Sequence, residues 1–162
     1  IGSGFDTHMF EEGKPLVLGG INIPFDKGLK AHSDGDVVIH AIMYSLLSAV
    51  GERDIGVQFP DTSIDYKNID SAKLLEKVKD ILKNKNAIIN NITVTIMAQK
   101  PKLSPYIQQM QERIAFILEI DVERINITRR KSNSRACYCQ CNLIINSWVL
   151  FWLCTWYSLW YH

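Results

Sequence analysis

The amino-acid composition of this chain changes abruptly near residue 127, and this change limits what the chain can fold into. All four cysteines and all four tryptophans follow residue 136, whereas the last acidic residue is Glu123. A chain of 162 residues is long enough for one domain with a hydrophobic core but too short for two of ordinary size. We therefore predict one domain over residues 1–127 and an aberrant Cys- and Trp-rich tail over residues 128–162.

The charged residues exclude partners that depend on a global electrostatic field. The chain has 18 lysines and arginines against 17 acids, a formal net charge of +1. Such a balance draws the protein neither to nucleic acid nor to an anionic membrane surface. No basic and apolar leader precedes the GFDTH segment, so we expect no secretory signal.

The apolar spacing within residues 1–127 predicts strands and helices in the order β–α–α–β–α–β. Two strands are expected within residues 1–25, at IGSGF and at PLVLGGINI. The helices are VVIHAIMYSLLSAV after the capping residues Asp34 and Asp36, SAKLLEKVKDILKNK capped by Ser71, and YIQQMQERIAFILEI. Strands are expected at INNITVTIMAQ and from ERINI, with long loops between these elements. This order is typical of an α+β fold, a two-layer sandwich in which helices cover a mixed β-sheet.

Three of the four histidines lie within 33 residues of one another, in the company of three aspartates: His8, His32 and His40, with Asp6, Asp34 and Asp36. Asp6 and His8 alternate in a strand, so their side chains share one face. One carboxylate and two neutral imidazoles suit a catalytic zinc site with an open fourth position. An ordinary Asp–His hydrogen bond, a packed His40 and two helix caps explain the same residues without a metal.

Four motifs occur together in register: GFDTH, GLKAHSDGDVVIHA, DIGVQFPDTS and TIMAQKPKL. Together they closely resemble the 2-C-methyl-D-erythritol 2,4-cyclodiphosphate synthase family of the non-mevalonate (MEP) pathway of isoprenoid, or terpenoid, biosynthesis. The resemblance covers residues 1–127. It implies a cyclising phosphorus–oxygen lyase that converts 4-diphosphocytidyl-2-C-methyl-D-erythritol 2-phosphate to the cyclic diphosphate and releases CMP. It also implies a homotrimer with active sites between subunits and a bacterial-type cytoplasmic location, with a plastid left open.

The resemblance assigns roles to individual residues. Asp6, His8 and His40 would hold Zn²⁺, and His32 would stabilise the transition state as the catalytic residue. A second ion, Mg²⁺ or Mn²⁺, would bridge the two phosphates of the substrate diphosphate. The substrate, a small cytidine diphosphate compound, would contact residues in five segments: Asp6, Thr7 and His8; His32 and Ser33; Asp54, Ile55 and Gly56; Phe59, Pro60, Asp61, Thr62 and Ser63; and Ala98, Gln99, Lys100, Pro101, Lys102, Leu103 and Ser104. Lys102 is our choice for a phosphate contact, because a cation after a proline turn can meet the diphosphate.

The chain departs from the family pattern at two places. Tyr44 stands where the family usually has an acid, four residues after the helix histidine. After RINI the family continues into a Thr-rich stretch and a glycine-rich phosphate-binding motif, whereas this chain continues TRRKSNSRACYCQC. Because that segment supplies a central strand in relatives, its loss should weaken folding and catalysis. The alternative function is therefore an inactive family member that retains only zinc or nucleotide binding, tethered to a membrane if its tail is an anchor.

Three interpretations of the tail stay open. Residues 143–161 are 19 uncharged, mostly apolar residues behind a basic flank, as in a membrane anchor. The CYCQC segment could bind a soft metal, although alternating cysteines are not the usual zinc spacing. We prefer a deletion and frameshift in the gene, because Trp and Cys codons share their first two nucleotides and acids vanish where the family pattern stops.

Overall fold

The computed structural model describes residues 1–60 and 69–147. Its regular elements follow one another along the chain as β1 (Gly2–Glu12), β2 (Leu16–Leu18), β3 (Ile21–Ile23), β4 (Lys27–Leu29), α1 (Val37–Ala49), α2 (Ile55–Gln58), α3 (Ser71–Asn84), β5 (Ala87–Ala98), α4 (Ile107–Leu118), β6 (Ile125–Lys131) and β7 (Ala136–Ser147). Single 3₁₀ turns precede α4 and β6.

The main sheet has five strands in the order β4-β1-β7-β5-β6. β5 and β6 pair in parallel, whereas the other neighbours are antiparallel, so the sheet is mixed as predicted. The PLVLGGINI segment is not one strand but the separate β2–β3 hairpin. Its two turn residues, Gly19 and Gly20, both have positive φ, which a tight two-residue hairpin requires.

Helices α1, α3 and α4 cover one face of the sheet and leave the other face open. The alternation is clear on β5, where Val94 and Ile96 are fully buried while Thr93 and Thr95 are not. On the open face, β1 exposes Phe5, which is 53% accessible. The α+β, two-layer fold class is therefore confirmed.

The strand β7 corrects the domain boundary that we placed at residue 127. β7 lies in the middle of the sheet, paired with β1 on one side and with β5 on the other. Cys137, Cys139 and Cys141 face the helices and are fully buried, whereas the intervening residues are not. This period of two is the pattern of a half-buried strand. The fold continues to Ser147, and the origin of this segment by frameshift stays a hypothesis about the gene.

Three smaller differences concern α3, the loop before it and the tail. The cap of α3 is Asp70, whose carboxylate accepts from the Ala72 N–H, and Ser71 is the first helical residue. The segment expected as one long loop contains the short helix α2. Among residues 1–60 and 69–147, no helix is long and apolar enough to cross a bilayer. The predicted span 143–161 begins in β7, and its remainder lies outside the described residues.

Candidate metal centre and active site

Small residues on β1 allow helix α1 to lie directly on that strand. Gly2 and Gly4 share the helix-facing side of β1 with Asp6 and His8. A Cβ on Gly2 would collide with the Ser45 carbonyl oxygen, and a Cβ on Gly4 would collide with that of Ala41. The close contact brings the first turns of α1 down to the level of Asp6.

Asp6, His8 and His40 form a compact cluster at this contact. Asp6 Oδ2 is 3.1 Å from His40 Nδ1 and 3.3 Å from His8 Nε2. The two imidazole rings are 6.0 Å apart between centroids and meet edge to face at 71°. All three candidate ligand atoms lie within 4.8 Å of one another. The sequence prediction that these three side chains converge is thus met by the geometry.

Backbone and side-chain hydrogen bonds orient two members of the cluster. The Thr7 N–H donates to Asp6 Oδ1 at 2.8 Å, which leaves Oδ2 for the two imidazoles. His40 Nε2, the ring nitrogen away from Asp6, lies 3.0 Å from Ser71 Oγ. Ser71 in turn contacts Asp34. The cluster is therefore anchored from β1, α1 and the first residue of α3.

The pKa values of Asp6 and His40 are both shifted by their surroundings. Burial raises the pKa of Asp6, but the hydrogen bond from His40 and the positive charges of His40 and His8 outweigh it and hold that pKa well below its usual range. Burial lowers the pKa of His40, but the hydrogen bond to Asp6 and the negative charges of Asp6, Asp36 and Asp34 raise it overall. The site therefore favours a carboxylate that faces positive charge.

The cluster fits a divalent metal on two counts. His8 Nε2 is buried and has no hydrogen-bond partner, because its approach to Asp6 Oδ2 is short but does not have hydrogen-bond geometry. A buried polar atom without a hydrogen bond is costly unless it has another partner. Zinc bonds of 2.0–2.1 Å in a tetrahedron separate neighbouring ligand atoms by about 3.3 Å. The separations of 3.1 and 3.3 Å from Asp6 Oδ2 are close to that spacing.

The other predicted residues near the cluster lie in loops. His32 is exposed in the loop between β4 and α1, and Ser33 beside it is half-buried. His32 does not belong to the cluster of ligand atoms. Thr7 is exposed on the opposite face of β1 and reaches the site through its backbone.

The third and fourth predicted segments, residues 54–56 and 59–63, lie within and beside the short helix α2. The Asp54 carboxylate caps α2 by accepting from the Val57 N–H at 3.1 Å. The side chains of Ile55 and Phe59 belong to the hydrophobic core, whereas Gly56 is exposed and Pro60 half-buried. The remaining predicted contacts of the fourth segment, Asp61, Thr62 and Ser63, lie outside the described residues.

The fifth predicted segment, residues 98–104, lies at the same end of the sheet as the cluster. Tyr138 of β7 pairs with Thr7 on one side and with Met97 on the other. The end of β5 is therefore two strand spacings, or about 10 Å, from the cluster strand. In this loop the exposed residues are Gln99, Lys100, Lys102 and Ser104, Pro101 is half-buried, and Ala98 and Leu103 are buried. Arg129 of β6 adds a cation by donating to Ser104 Oγ at 2.9 Å.

Sequence reasoning missed two contacts of the cluster. It treated Ser71 and Asp34 only as capping residues, yet both belong to the hydrogen-bond network of His40. These residues are separated by 37 positions, so no local periodicity joins them.

Tyr44 stands where the family usually has an acid, as the sequence analysis noted. Burial, and then the charges of Asp6 and Asp54, raise the pKa of its phenol. A neutral hydroxyl therefore stands where an acid was expected.

Comparisons with known proteins extend the match beyond the motifs. A sequence model of the YgbB family matches residues 1–148. A curated 2-C-methyl-D-erythritol 2,4-cyclodiphosphate synthase from Lysinibacillus sphaericus is 53% identical over 127 residues, which cover 78% of this chain and 80% of that protein. The family match thus reaches past residue 127 and includes β7.

Solved structures of the same name share the fold. One 2C-methyl-D-erythritol-2,4-cyclodiphosphate synthase structure superposes with a TM-score of 0.86 at 31% identity and covers 90% of this chain and 99% of that chain. Another, described as a form bound to CDP, gives a TM-score of 0.85 at 30% identity with the same coverage. The architecture with β7 as its central strand is therefore that of these enzymes.

Proposed function

The chain belongs to the YgbB family, and we propose that it cyclises 4-diphosphocytidyl-2-C-methyl-D-erythritol 2-phosphate to 2-C-methyl-D-erythritol 2,4-cyclodiphosphate, with release of CMP, in isoprenoid precursor biosynthesis. The names of its relatives and of the structures that share its fold support this reaction. The observation that carries it in this chain is the convergence of Asp6, His8 and His40 at ligand spacing. A half-buried carboxylate and two imidazoles suit a substrate that presents a diphosphate.

In this proposal Asp6, His8 and His40 would hold Zn²⁺, which when bound would act as a Lewis acid and neutralise charge on the diphosphate. Asp6 would present Oδ2 to the ion, because Oδ1 already accepts a hydrogen bond from the Thr7 N–H. Three protein ligands leave one coordination position open, as in catalytic rather than structural zinc sites. A second ion, Mg²⁺ or Mn²⁺, would arrive with the substrate diphosphate.

The reaction needs no nucleophile from the protein. An oxygen of the substrate's 2-phosphate forms a bond to the β-phosphorus, and the bond from that phosphorus to the bridging oxygen breaks. CMP leaves with the bridging oxygen. Because nucleophile and electrophile belong to one molecule, positioning removes much of the entropic barrier.

The task of the chain is therefore to position and to stabilise charge. We assign His32 to transition-state stabilisation and Ser33 to the methylerythritol phosphate, since both lie in the loop that leads into α1. Residues 54–56 and 59–63 would contact the methylerythritol portion. Residues 98–104 would bind the cytidine diphosphate, with exposed Lys102 as a phosphate contact.

We also propose that the chain works as a homotrimer in the bacterial cytoplasm, with sites between subunits. The uncovered sheet face supports an assembly, because it exposes Phe5 and Met9 at 53% and 59%. Phe5 extends this apolar surface toward Tyr138, whose ring centroid lies 6.3 Å away. Sedimentation equilibrium that finds only monomers at micromolar concentration would contradict the assembly.

The test of function is release of CMP from the diphosphocytidyl substrate with zinc and magnesium present. We expect release by the purified protein, loss after treatment with a chelator, and recovery when zinc is returned. A folded, zinc-loaded protein that releases no CMP would overturn the proposed reaction. That result would instead favour the alternative, a family member that retains zinc or nucleotide binding.

The alternative has one specific observation in its favour. In β6, Arg129, Arg130 and Lys131 are exposed where the family pattern is Thr-rich. The proposed reaction and the alternative both allow the zinc-loaded protein to bind CDP, but only the proposed reaction predicts release of CMP. Binding of CDP without turnover would therefore support the alternative. Failure to bind both zinc and CDP would contradict both.

A further inference from the structure

Two serine hydroxyls approach the ring nitrogen of His40 that faces away from Asp6. Ser71 Oγ is 3.0 Å from His40 Nε2, and Ser33 Oγ is 3.5 Å from the same atom. Ser71 also makes two hydrogen bonds to the Asp34 carboxylate. The Ser71 Oγ lies 2.5 Å from Asp34 Oδ1, and the Ser71 N–H donates to Asp34 Oδ2 at 2.9 Å. Ser71 is fully buried at the start of α3.

The number of donor hydrogens available determines the direction of the hydrogen bonds that link Asp34, Ser71 and His40. A carboxylate offers only acceptors, so the single hydroxyl hydrogen of Ser71 must go to Asp34. Ser71 Oγ is then left as an acceptor toward His40, and the hydrogen between them must belong to Nε2. By the same rule, the 3.1 Å contact with Asp6 Oδ2 is a hydrogen bond donated by Nδ1. A metal that binds at Nδ1 would displace that hydrogen, and the hydrogen on Nε2 would stay in place toward Ser71.

We propose that Ser71 and Asp34 are positioning residues for the metal centre, which hold His40 in its Nε2–H tautomer so that Nδ1 can bind the metal. The inference rests on the metal site of the proposed function. Histidine ligands generally donate their second ring N–H to an oxygen that fixes the ring. Here that oxygen is a serine hydroxyl, itself fixed by a carboxylate that comes from the loop before α1.

The arrangement also separates the roles of the two serines. Nε2 has one hydrogen, and the shorter contact to Ser71 takes it. Ser33 Oγ accepts instead from the Gly35 N–H at 3.2 Å. Its own hydrogen can therefore turn toward a bound phosphate, although the two serines lie beside the same nitrogen.

The first test compares two substitutions at adjacent positions of the α3 N-terminus. Ser71→Ala removes the hydroxyl that His40 faces, whereas Asp70→Ala removes the helix cap, which bonds Ala72 and not His40. Zinc affinity is measured by competition with a chromophoric chelator, and the visible absorption spectrum is recorded after loading with Co²⁺. We expect Ser71→Ala to weaken zinc binding about 10- to 100-fold and to change the cobalt spectrum. Asp70→Ala should leave both within about two-fold of the parent protein, although it also destabilises the helix.

A Ser71→Ala protein that is folded and binds zinc as tightly as the parent, with the same cobalt spectrum, would overturn the inference. Equal losses in both variants would do so too, because they would show a general effect of loosening α3.

The second test needs no substitution. Long-range ¹H–¹⁵N spectra of the zinc-loaded parent protein report which ring nitrogen of His40 carries hydrogen. We expect hydrogen on Nε2 and metal on Nδ1, and the reverse would overturn the inference while leaving the proposed function intact. A parent protein that binds no zinc at all would instead overturn the metal site of the proposed function, on which this inference rests.

Discussion

β1 and β7 are neighbouring strands whose helix-facing side chains lie opposite one another, yet they carry different chemistry. Asp6 pairs with Cys139, and His8 pairs with Cys137. The β1 side chains are half-buried and polar, whereas the β7 thiols are fully buried. Burial, with a smaller effect of the Asp36 and Asp6 charges, raises the pKa of Cys137 to about 12.

The difference shows that a strand and a site make unequal demands on sequence. A central strand needs side chains of suitable size and polarity at every second position, which the alternating cysteines of β7 supply. The site needs particular atoms: the Oδ2 of Asp6 and ring nitrogens of His8 and His40. A changed sequence can therefore keep the fold at β7 while altering chemistry nearby.

Removal of β7 should have the largest effect of all. A chain that ends after Arg135 leaves β1 and β5 without the strand that joins them. We expect loss of cooperative folding, seen as the absence of a sigmoidal urea transition by circular dichroism. A matched chain that ends after Ser147 keeps every described element and should retain the transition. If the shorter chain also unfolds cooperatively, β7 is not required for folding.

Alkylation rates should separate the thiols of β7 from reactive cysteines. Burial raises the pKa of Cys137 and Cys141 from 9.0 to about 12. The thiolate fraction at pH 8 is then about 1,000-fold lower than for an ordinary thiol, and only the thiolate reacts. Mass spectrometry of iodoacetamide-treated native protein should find both positions labelled at least that much more slowly than in urea. Equal rates would show that the strand opens readily.

His8 of β1 and Cys137 of β7 are paired across the sheet, so substitutions at these two positions compare the two strands directly. His8→Ala removes a proposed ligand and should weaken zinc binding by more than about 100-fold, beyond the loss expected for a residue that only supports a ligand. Cys137→Ala, at the position opposite, should change zinc affinity by less than about two-fold. Isothermal titration of both variants with zinc measures the contrast. A large loss in Cys137→Ala would mean that the thiol takes part in the metal centre.

The parts predicted from sequence are those with a local signal. Alternation along β1 correctly placed Asp6 and His8 on one face, and Asp36 caps α1 as expected by accepting from the Val38 and Ile39 N–H groups. That His40 reaches Asp6 depends on how α1 lies on β1. Apolar spacing does not encode this contact, and the family resemblance supplied it.

The missed parts have physical reasons of two kinds. The high Cys and Trp content of residues 137–160 led to the prediction of an aberrant tail. Residues 136–143, which lie in β7, nevertheless alternate with the period of two that is typical of a half-buried strand. At α3, Asp70 and Ser71 are both good capping types, so a local rule cannot choose between them. The tertiary contact from Asp34 to Ser71 makes the choice, and it comes from 37 residues away.

Gly4 tests whether the contact of α1 with β1 sets the site. Gly4→Ala places a methyl group against the Ala41 carbonyl oxygen, and forcing the helix outward should cost about 1–3 kcal/mol in the free energy of unfolding. Zinc affinity should fall with it, because His40 moves with the helix. Gly56→Ala is the matched control, since its added methyl meets nothing within 4 Å. A Gly4→Ala protein with unchanged stability would show that the helix has room to move.

The Glu119 carboxylate lies far from β1 and β7 and forms an ordinary surface ion pair. Its substitution should have the smallest effect on stability of the changes considered. The side chains of Lys79 and Lys83 donate to Glu119 and lower its pKa from 4.5 to about 2. A carboxylate with a depressed folded-state pKa stabilises above its unfolded value, so this contribution is present above pH 4.5 and is lost as the pH falls toward 2. Glu119→Gln should therefore lower stability slightly at pH 7, because exposed pairs contribute little, and the difference from the parent should vanish near pH 2. Urea unfolding of metal-free protein at both pH values measures it, and a difference that persists at pH 2 would show that Glu119 acts through packing rather than charge.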